Sequence, residues 1–124
     1  MGHPLNWTFG WSLVLAAFLT GAILGLRFHD ETFLGGYTSF RRRITRLGHI
    51  ALAALGIMNA LYGVALWPAV GSWQASVAGV GLMIGGVAMP AVCFLCAWRK
   101  PFRHLFFIPV VALLAAVVAI LAGS

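Results

Sequence analysis

The sequence has very few charged residues. Only 8% of its 124 residues are Asp, Glu, Lys or Arg, and two of these are acidic, whereas a soluble domain carries about 25%. A chain with so little charge cannot cover a globular fold with a water-compatible surface. A soluble globular protein is therefore excluded.

Residues that carry chemistry are also scarce. The two cysteines lie in one apolar stretch and cannot form a disulfide framework. There is no Ser/His/Asp or Cys/His arrangement, no glycine-rich phosphate loop and no pair of carboxylates inside an apolar segment. We therefore expect no hydrolase, nucleotide-driven or proton-relay activity, and no catalytic activity of the chain's own.

Apolar residues, by contrast, make up 62% of the chain, and its mean hydropathy is +1.00. A helix needs roughly 20 residues to cross about 30 Å of hydrocarbon, and four apolar stretches have this length. Their short connections favour antiparallel neighbours. We predict one domain over residues 1–124, an all-α integral membrane protein that forms an antiparallel four-transmembrane-helix bundle. The predicted spans are about residues 7–26, 47–67, 73–98 and 105–122.

Local signals set the ends of these spans. Arg27 ends the first, because a guanidinium inside the bilayer is costly. Thr38 or Ser39 is expected to cap the second helix, and Pro68 to interrupt it. Pro101 suits the first turn of the segment that leads into the fourth.

All eight basic residues lie in two segments, residues 27–46 and 99–104. Because Lys and Arg are enriched in cytoplasmic loops, we predict that these are inner loops and that both termini face the outer side, most simply in a bacterial cytoplasmic membrane. The chain lacks the exposed basic and aromatic surface of a nucleic-acid groove, so nucleic acid is excluded as a partner.

Four of the arginines form a dense cluster at the start of the second helix. They serve first as a topology signal, and they can also bind acidic lipid headgroups, at about 1 kcal/mol per residue, or an acidic neighbouring subunit. The acids Asp30 and Glu31 are expected to pair with them. The cluster consists of Arg41, Arg42, Arg43 and Arg46.

Small residues at four-residue spacing predict close helix contacts in lipid. The first span carries Ala17, Gly21 and Gly25, and the third carries Gly81 and Gly85. We expect these faces to pack against other helices.

The second span has small and polar residues along one side, which should face a helix or a partner because a lipid-facing His or Asn is costly. One interpretation is a helix–helix clamp. The other is that its glycines admit a flat ring, with a histidine ligating a haem or hydrogen bonding to a quinone carbonyl. The residues are His49, Ala53, Gly56, Asn59, Ala60 and Gly63.

Three histidines, His29, His49 and His104, are predicted near the inner surface. Two imidazoles from different helices suffice as axial ligands of haem b, and a histidine with Asp30 or Glu31 could instead hold a divalent metal. We predict that His49 contacts any redox cofactor, that His104 is its partner, and that Asn59 contributes polar contact. Quinone is the second candidate ligand.

Soft sulfur side chains lie around a proline in the third span. Met89, Cys93 and Cys96 share one face near Pro90, and thioether and thiolate ligands suit Cu(I). The same residues are also ordinary apolar packing groups.

Taken together, these features favour a small accessory subunit that anchors or stabilises a larger membrane complex. We expect its partners to be other membrane chains or further copies of itself, and an electron-transfer complex to be its setting because of the inner histidines. The alternative is a transporter or handling protein for a soft metal ion.

Overall fold

The computed structural model describes residues 2–124, and in this range the chain is helical with no strands. The helices are α1 (Pro4–Arg27), α2 (Phe40–Val64), α3 (Trp73–Trp98) and α4 (Phe107–Gly123). Short 3-10 segments cover Phe33–Gly35 and Lys100–Phe106. The four segments Pro4–Arg27, Phe40–Val64, Trp73–Trp98 and Lys100–Gly123 are each long and apolar enough to cross a membrane.

Serine side chains begin the two central helices. Ser39 accepts a hydrogen bond from the Arg42 amide at the start of α2, and Ser72 accepts one from the Ala75 amide at the start of α3, both at 3.1 Å. These bonds satisfy amides that have no partner within the helix. The predicted cap at Ser39 is confirmed, whereas the cap at Ser72 was not predicted.

Two predicted boundaries differ from the structure. Helix α2 ends at Val64 and not near Trp67, and α4 begins at Phe107 after a 3-10 segment that contains Pro101. The proline does lie in a first helical turn, as predicted, but that turn is 3-10. The limits of α3, Trp73 and Trp98, agree with the prediction.

Helices α2 and α3 form the central pair of the bundle. Helix α1 packs mainly on α2 and more lightly on α3, while α4 packs on α3. Only 17% of the most apolar stretch of α1 is buried, and the same share in the segment Lys100–Gly123 that contains α4, compared with 44% in α2 and 50% in α3. Both outer helices therefore present long apolar faces outward.

Glycines allow the closest helix approaches. A methyl group on Gly10 of α1 would lie 2.6 Å from the Gly56 carbonyl oxygen of α2, and Gly56 is matched in turn to Gly10 and Leu13. Gly81 and Gly85 of α3 face α4 in the same way. The small residues of α2 and α3 thus pack against other helices, as predicted.

Gly25 departs from this pattern. A methyl group there would meet nothing within 4 Å, whereas Ala17 is 4% exposed and Gly21 lies against the His49 ring. The expected α1 packing face therefore stops one turn short of Gly25.

The two basic segments meet at one end of the bundle, which we call the basic end. Arg41 Nε donates to the Ala97 carbonyl of α3 at 2.8 Å, and Lys100 Nζ lies 5.2 Å from the centre of the Phe40 ring. Successive helices therefore run in opposite directions, with residues 27–46 and 99–104 together.

Candidate functional site

His49 of α2 faces α1 near the basic end and is partly buried. Its Nδ1 lies 3.2 Å from Thr20 Oγ1, and that hydroxyl donates its single hydrogen to the Ala16 carbonyl at 2.8 Å. When the hydroxyl hydrogen goes to Ala16, the closer of the two partners, the Thr20 oxygen accepts from His49 Nδ1. In that tautomer the imidazole proton is on Nδ1 and the Nε2 lone pair is free; in the other tautomer the two roles are exchanged.

A cavity of about 260 Å³ lies beside His49. A methyl group on Gly21 would lie 2.8 Å from His49 Cε1, so a larger residue there would displace the ring. One turn along, the open space at Gly25 widens the groove. We call this space the α1–α2 cavity; its lining residues are Gly21, Leu24, Gly25, Phe28, Arg46, His49 and Ile50.

The structure does not bring His104 to this cavity. His104 is exposed and belongs to the 3-10 segment Lys100–Phe106, which packs against α3 and α4, whereas His49 faces α1. His29 is exposed in the loop after α1. Within residues 2–124 no group of three His, Cys, Asp or Glu side chains is placed to hold a metal ion. The structure therefore does not place His104 beside His49 as the predicted bis-histidine haem site requires.

Asn59 is fully buried and joins three helices. Its Nδ2 donates to the Leu55 carbonyl at 2.9 Å and to the Leu82 carbonyl of α3 at 3.0 Å, and its Oδ1 accepts from Asn6 Nδ2 at 2.9 Å. With these bonds made, Asn59 is a clamp between helices. It does not line the α1–α2 cavity.

Asn6 is a buried residue of the same hydrogen-bonded cluster, and the sequence analysis does not identify it. It is 4% exposed, and its Nδ2 also donates to the Gly79 carbonyl at 3.0 Å. A methyl group on Gly79 would lie 2.9 Å from Asn6 Oδ1, so this approach needs glycine. The available signal was a lone asparagine in the first turns of an apolar helix, where a buried amide requires partners.

His3 was also overlooked, because it lies apart from the other histidines. Its ring stacks on Tyr62 with centres 4.3 Å apart, and its main-chain amide donates to the Gly63 carbonyl at 2.8 Å. Tyr62 in turn donates to the Ala75 carbonyl at 3.1 Å. These contacts attach the start of α1 to the far end of the bundle from His49.

Arg42 is buried, whereas the sequence analysis expects it to be accessible to lipid headgroups. It is 1% exposed, donates to the carbonyls of Phe28 and Asp30, and lies between the rings of Phe28 and Tyr37, 4.4 and 4.0 Å from their centres. Phe28 is the C-terminal cap of α1, and cations stabilise this end of a helix dipole. Arg42 therefore closes the end of α1.

The other arginines divide between two roles. Arg41 bonds the Ala97 carbonyl in the last turn of α3, so adjacent arginines bind the C-terminal ends of two different helices. Arg43 and Arg46 are exposed and remain accessible to lipid headgroups or a partner.

The predicted pairing of Asp30 with the arginine side chains is wrong. Its carboxylate accepts hydrogen bonds from the Thr32 hydroxyl at 2.7 Å and the Thr32 amide at 2.9 Å. These two bonds hold the pKa of Asp30 below its usual value, and the positive charges of Arg42 and Arg27 lower it further. Asp30 reaches Arg42 through its main-chain oxygen.

The soft-ligand residues lie within packed helix contacts. Cys93 is 0% and Cys96 1% exposed, both as free thiols, and Cβ of Cys93 packs against Gly48 of α2. Met89 is partly exposed. This arrangement fits packing between α2 and α3.

No known protein family, characterised protein or solved structure matches the chain.

Proposed function

We propose that the chain is a small multi-pass membrane subunit that anchors or stabilises a larger membrane complex. The observation that carries this proposal is the use of the polar groups inside the bundle. Asn6 and Asn59 bond only within the bundle, and Tyr62 binds a main-chain carbonyl. These hydrogen bonds hold neighbouring helices together, as a subunit with a structural role requires.

The outer helices supply the surfaces for partners in this proposal. Helix α4 exposes a continuous series of apolar side chains, among them Val111 at 60%, Leu114 at 62% and Leu121 at 70%. Helix α1 does the same, with Phe18 at 73% exposed. In lipid, such faces associate through van der Waals packing with neighbouring helices. The partners we propose are other membrane chains or further copies of this one.

We further propose that the basic end lies inside a bacterial cytoplasmic membrane and that both termini lie outside. The support is the meeting of both basic segments at one end of the bundle and the enrichment of Lys and Arg in cytoplasmic loops. An electron-transfer complex is the setting we favour, because His49 lines a cavity between α1 and α2.

Purification of the tagged chain in mild detergent tests the proposal. We expect partner chains to co-migrate, or a homo-oligomer to form. Replacing Leu114 and Leu121 of α4 with alanine should weaken that association without touching the core, while the matched change Phe18→Ala reports on α1. A wild-type chain that is strictly monomeric under these conditions would contradict the proposal.

A further inference from the structure

We propose that the α1–α2 cavity binds the headgroup of a membrane quinol and prefers it to the oxidised quinone. The biological setting of this inference rests on the proposed electron-transfer complex, whereas the binding itself is testable on the isolated chain. Three properties of the cavity support the proposal: its hydrogen-bonding groups, its shape and its charge.

The first property is the hydrogen-bonding state of His49. We assign the hydroxyl hydrogen of Thr20 to the Ala16 carbonyl, at 2.8 Å its closer partner, so that Thr20 Oγ1 accepts from His49 Nδ1 at 3.2 Å and His49 Nε2 can only accept. A quinol offers O–H donors, while a quinone offers only carbonyl acceptors. The imidazole is therefore set to bind the reduced form.

The second property is the shape of the space. Glycines on α1 stand opposite His49, and the cavity of about 260 Å³ is large enough for a single substituted ring. The walls formed by Leu24 and Ile50 are apolar, and Ile50 is 59% exposed at the edge of the groove. A flat ring fits between the helices, and its apolar tail would follow the groove into lipid.

The third property is the small number of charged groups. Arg46 is the one charged residue in the lining, and the rest is apolar apart from His49. The Arg46 guanidinium alone can donate two hydrogen bonds to a lipid phosphate, but a phosphodiester has no proton to give to His49 Nε2. A quinol needs one acceptor for its hydroxyl and one donor for a neighbouring ring oxygen, which His49 and Arg46 supply.

Equilibrium dialysis of the purified chain in detergent, against empty micelles, tests the proposal with decylubiquinol and decylubiquinone as probes. We expect saturable binding of decylubiquinol and about tenfold weaker binding of decylubiquinone, the effect of one hydrogen bond. Equal binding of the two forms, or no saturable binding, would overturn the proposal.

Variants locate the site. Gly25→Leu fills the open part of the cavity and should weaken decylubiquinol binding about tenfold or more, whereas Ala22→Leu places the same side chain at an exposed position of α1 and should change nothing. Unchanged binding in folded Gly25→Leu would overturn the assignment. Displacement of the quinol by phosphatidylglycerol would do so too, because it would identify a lipid headgroup site.

Thr20→Val examines the role of the imidazole proton and decides the question even if Gly25→Leu fails to fold. Without the Thr20 oxygen the proton can move to Nε2, so the preference for the reduced form should disappear. A preference that persists would contradict the proposed role of Thr20 and His49. If no partner chain or homo-oligomer is found on purification but decylubiquinol still binds, the subunit proposal fails and the quinol proposal stands.

Discussion

At the scale of single residues, the arginine cluster shows how one sequence feature serves two purposes. Arg42 is buried without a carboxylate partner, a costly placement unless carbonyl groups and aromatic rings replace the lost water. The end of α1 supplies the carbonyls, and Phe28 and Tyr37 supply the rings. The loop between α1 and α2 is therefore ordered around one guanidinium.

Arg42→Lys should destabilise the bundle by about 1–3 kcal/mol. The planar guanidinium donates to two carbonyl groups while its faces stack on aromatic rings. The ammonium group of lysine is not planar and cannot make both kinds of contact at once. Unfolding in mixed detergent micelles measures the change, and Arg43→Lys, at an exposed position next to it, is the control. Equal stability of the two variants would show that the buried contacts contribute nothing.

The two buried asparagines should act as one unit. Asn59→Leu removes the acceptor of one hydrogen bond from Asn6 Nδ2, and Asn6→Leu removes the donor to Asn59 Oδ1. Each change is therefore expected to lower the free energy of unfolding by about 1–2 kcal/mol. The double variant should cost less than the sum, because contacting residues are coupled. A double-mutant cycle of unfolding free energies measures this, and strict additivity would argue against the clamp.

At the scale of helices, glycine position decides how closely α1 approaches α2. Gly10 touches the α2 backbone, while Gly25 faces open space on the same helix. Gly10→Ala should push the helices apart and cost about 1–3 kcal/mol. Gly25→Ala should be neutral or stabilise by up to about 1 kcal/mol. The difference between the unfolding midpoints of the two variants measures this effect. Equal destabilisation by both changes would mean that α1 packs against α2 along its full length.

The α2–α3 contact bears on the competing function. Because Cys93 and Cys96 are closed off within the packed bundle, we expect the double change to alanine to leave copper accumulation and copper tolerance of expressing cells unchanged. Met89→Leu, at the third residue of the predicted soft-metal face, should likewise leave both unchanged. Reduced accumulation with normal protein levels in the double variant would favour the soft-metal transporter instead.

At the scale of the whole molecule, orientation is the property to test. In a chain with Cys93 and Cys96 changed to alanine, we expect Val70→Cys to react with a membrane-impermeant maleimide in intact cells and Thr38→Cys to be protected. Both positions are exposed loop residues at opposite ends of the bundle, so accessibility within the protein is matched. The reverse labelling pattern would mean that the basic end faces outward.

The sequence by itself determined the helical class and the number of helices long and apolar enough to cross a membrane. A helix long enough to cross a membrane needs only a run of apolar residues, and that run is visible without any knowledge of neighbours. Segregated arginines, the cap at Ser39 and the small residues of α2 and α3 are equally local signals, and they placed these features correctly.

Only the tertiary structure decided which side chains meet. Periodicity shows which residues share a face of a helix, but it does not show which helix lies opposite. The sequence therefore suggests His104 as the partner of His49, whereas His49 contacts Thr20 of α1. Burial of Arg42 and the bond between Asn6 and Asn59 depend on contacts 12 to 53 residues apart. Such contacts arise from the packing of whole helices, and no local pattern encodes them.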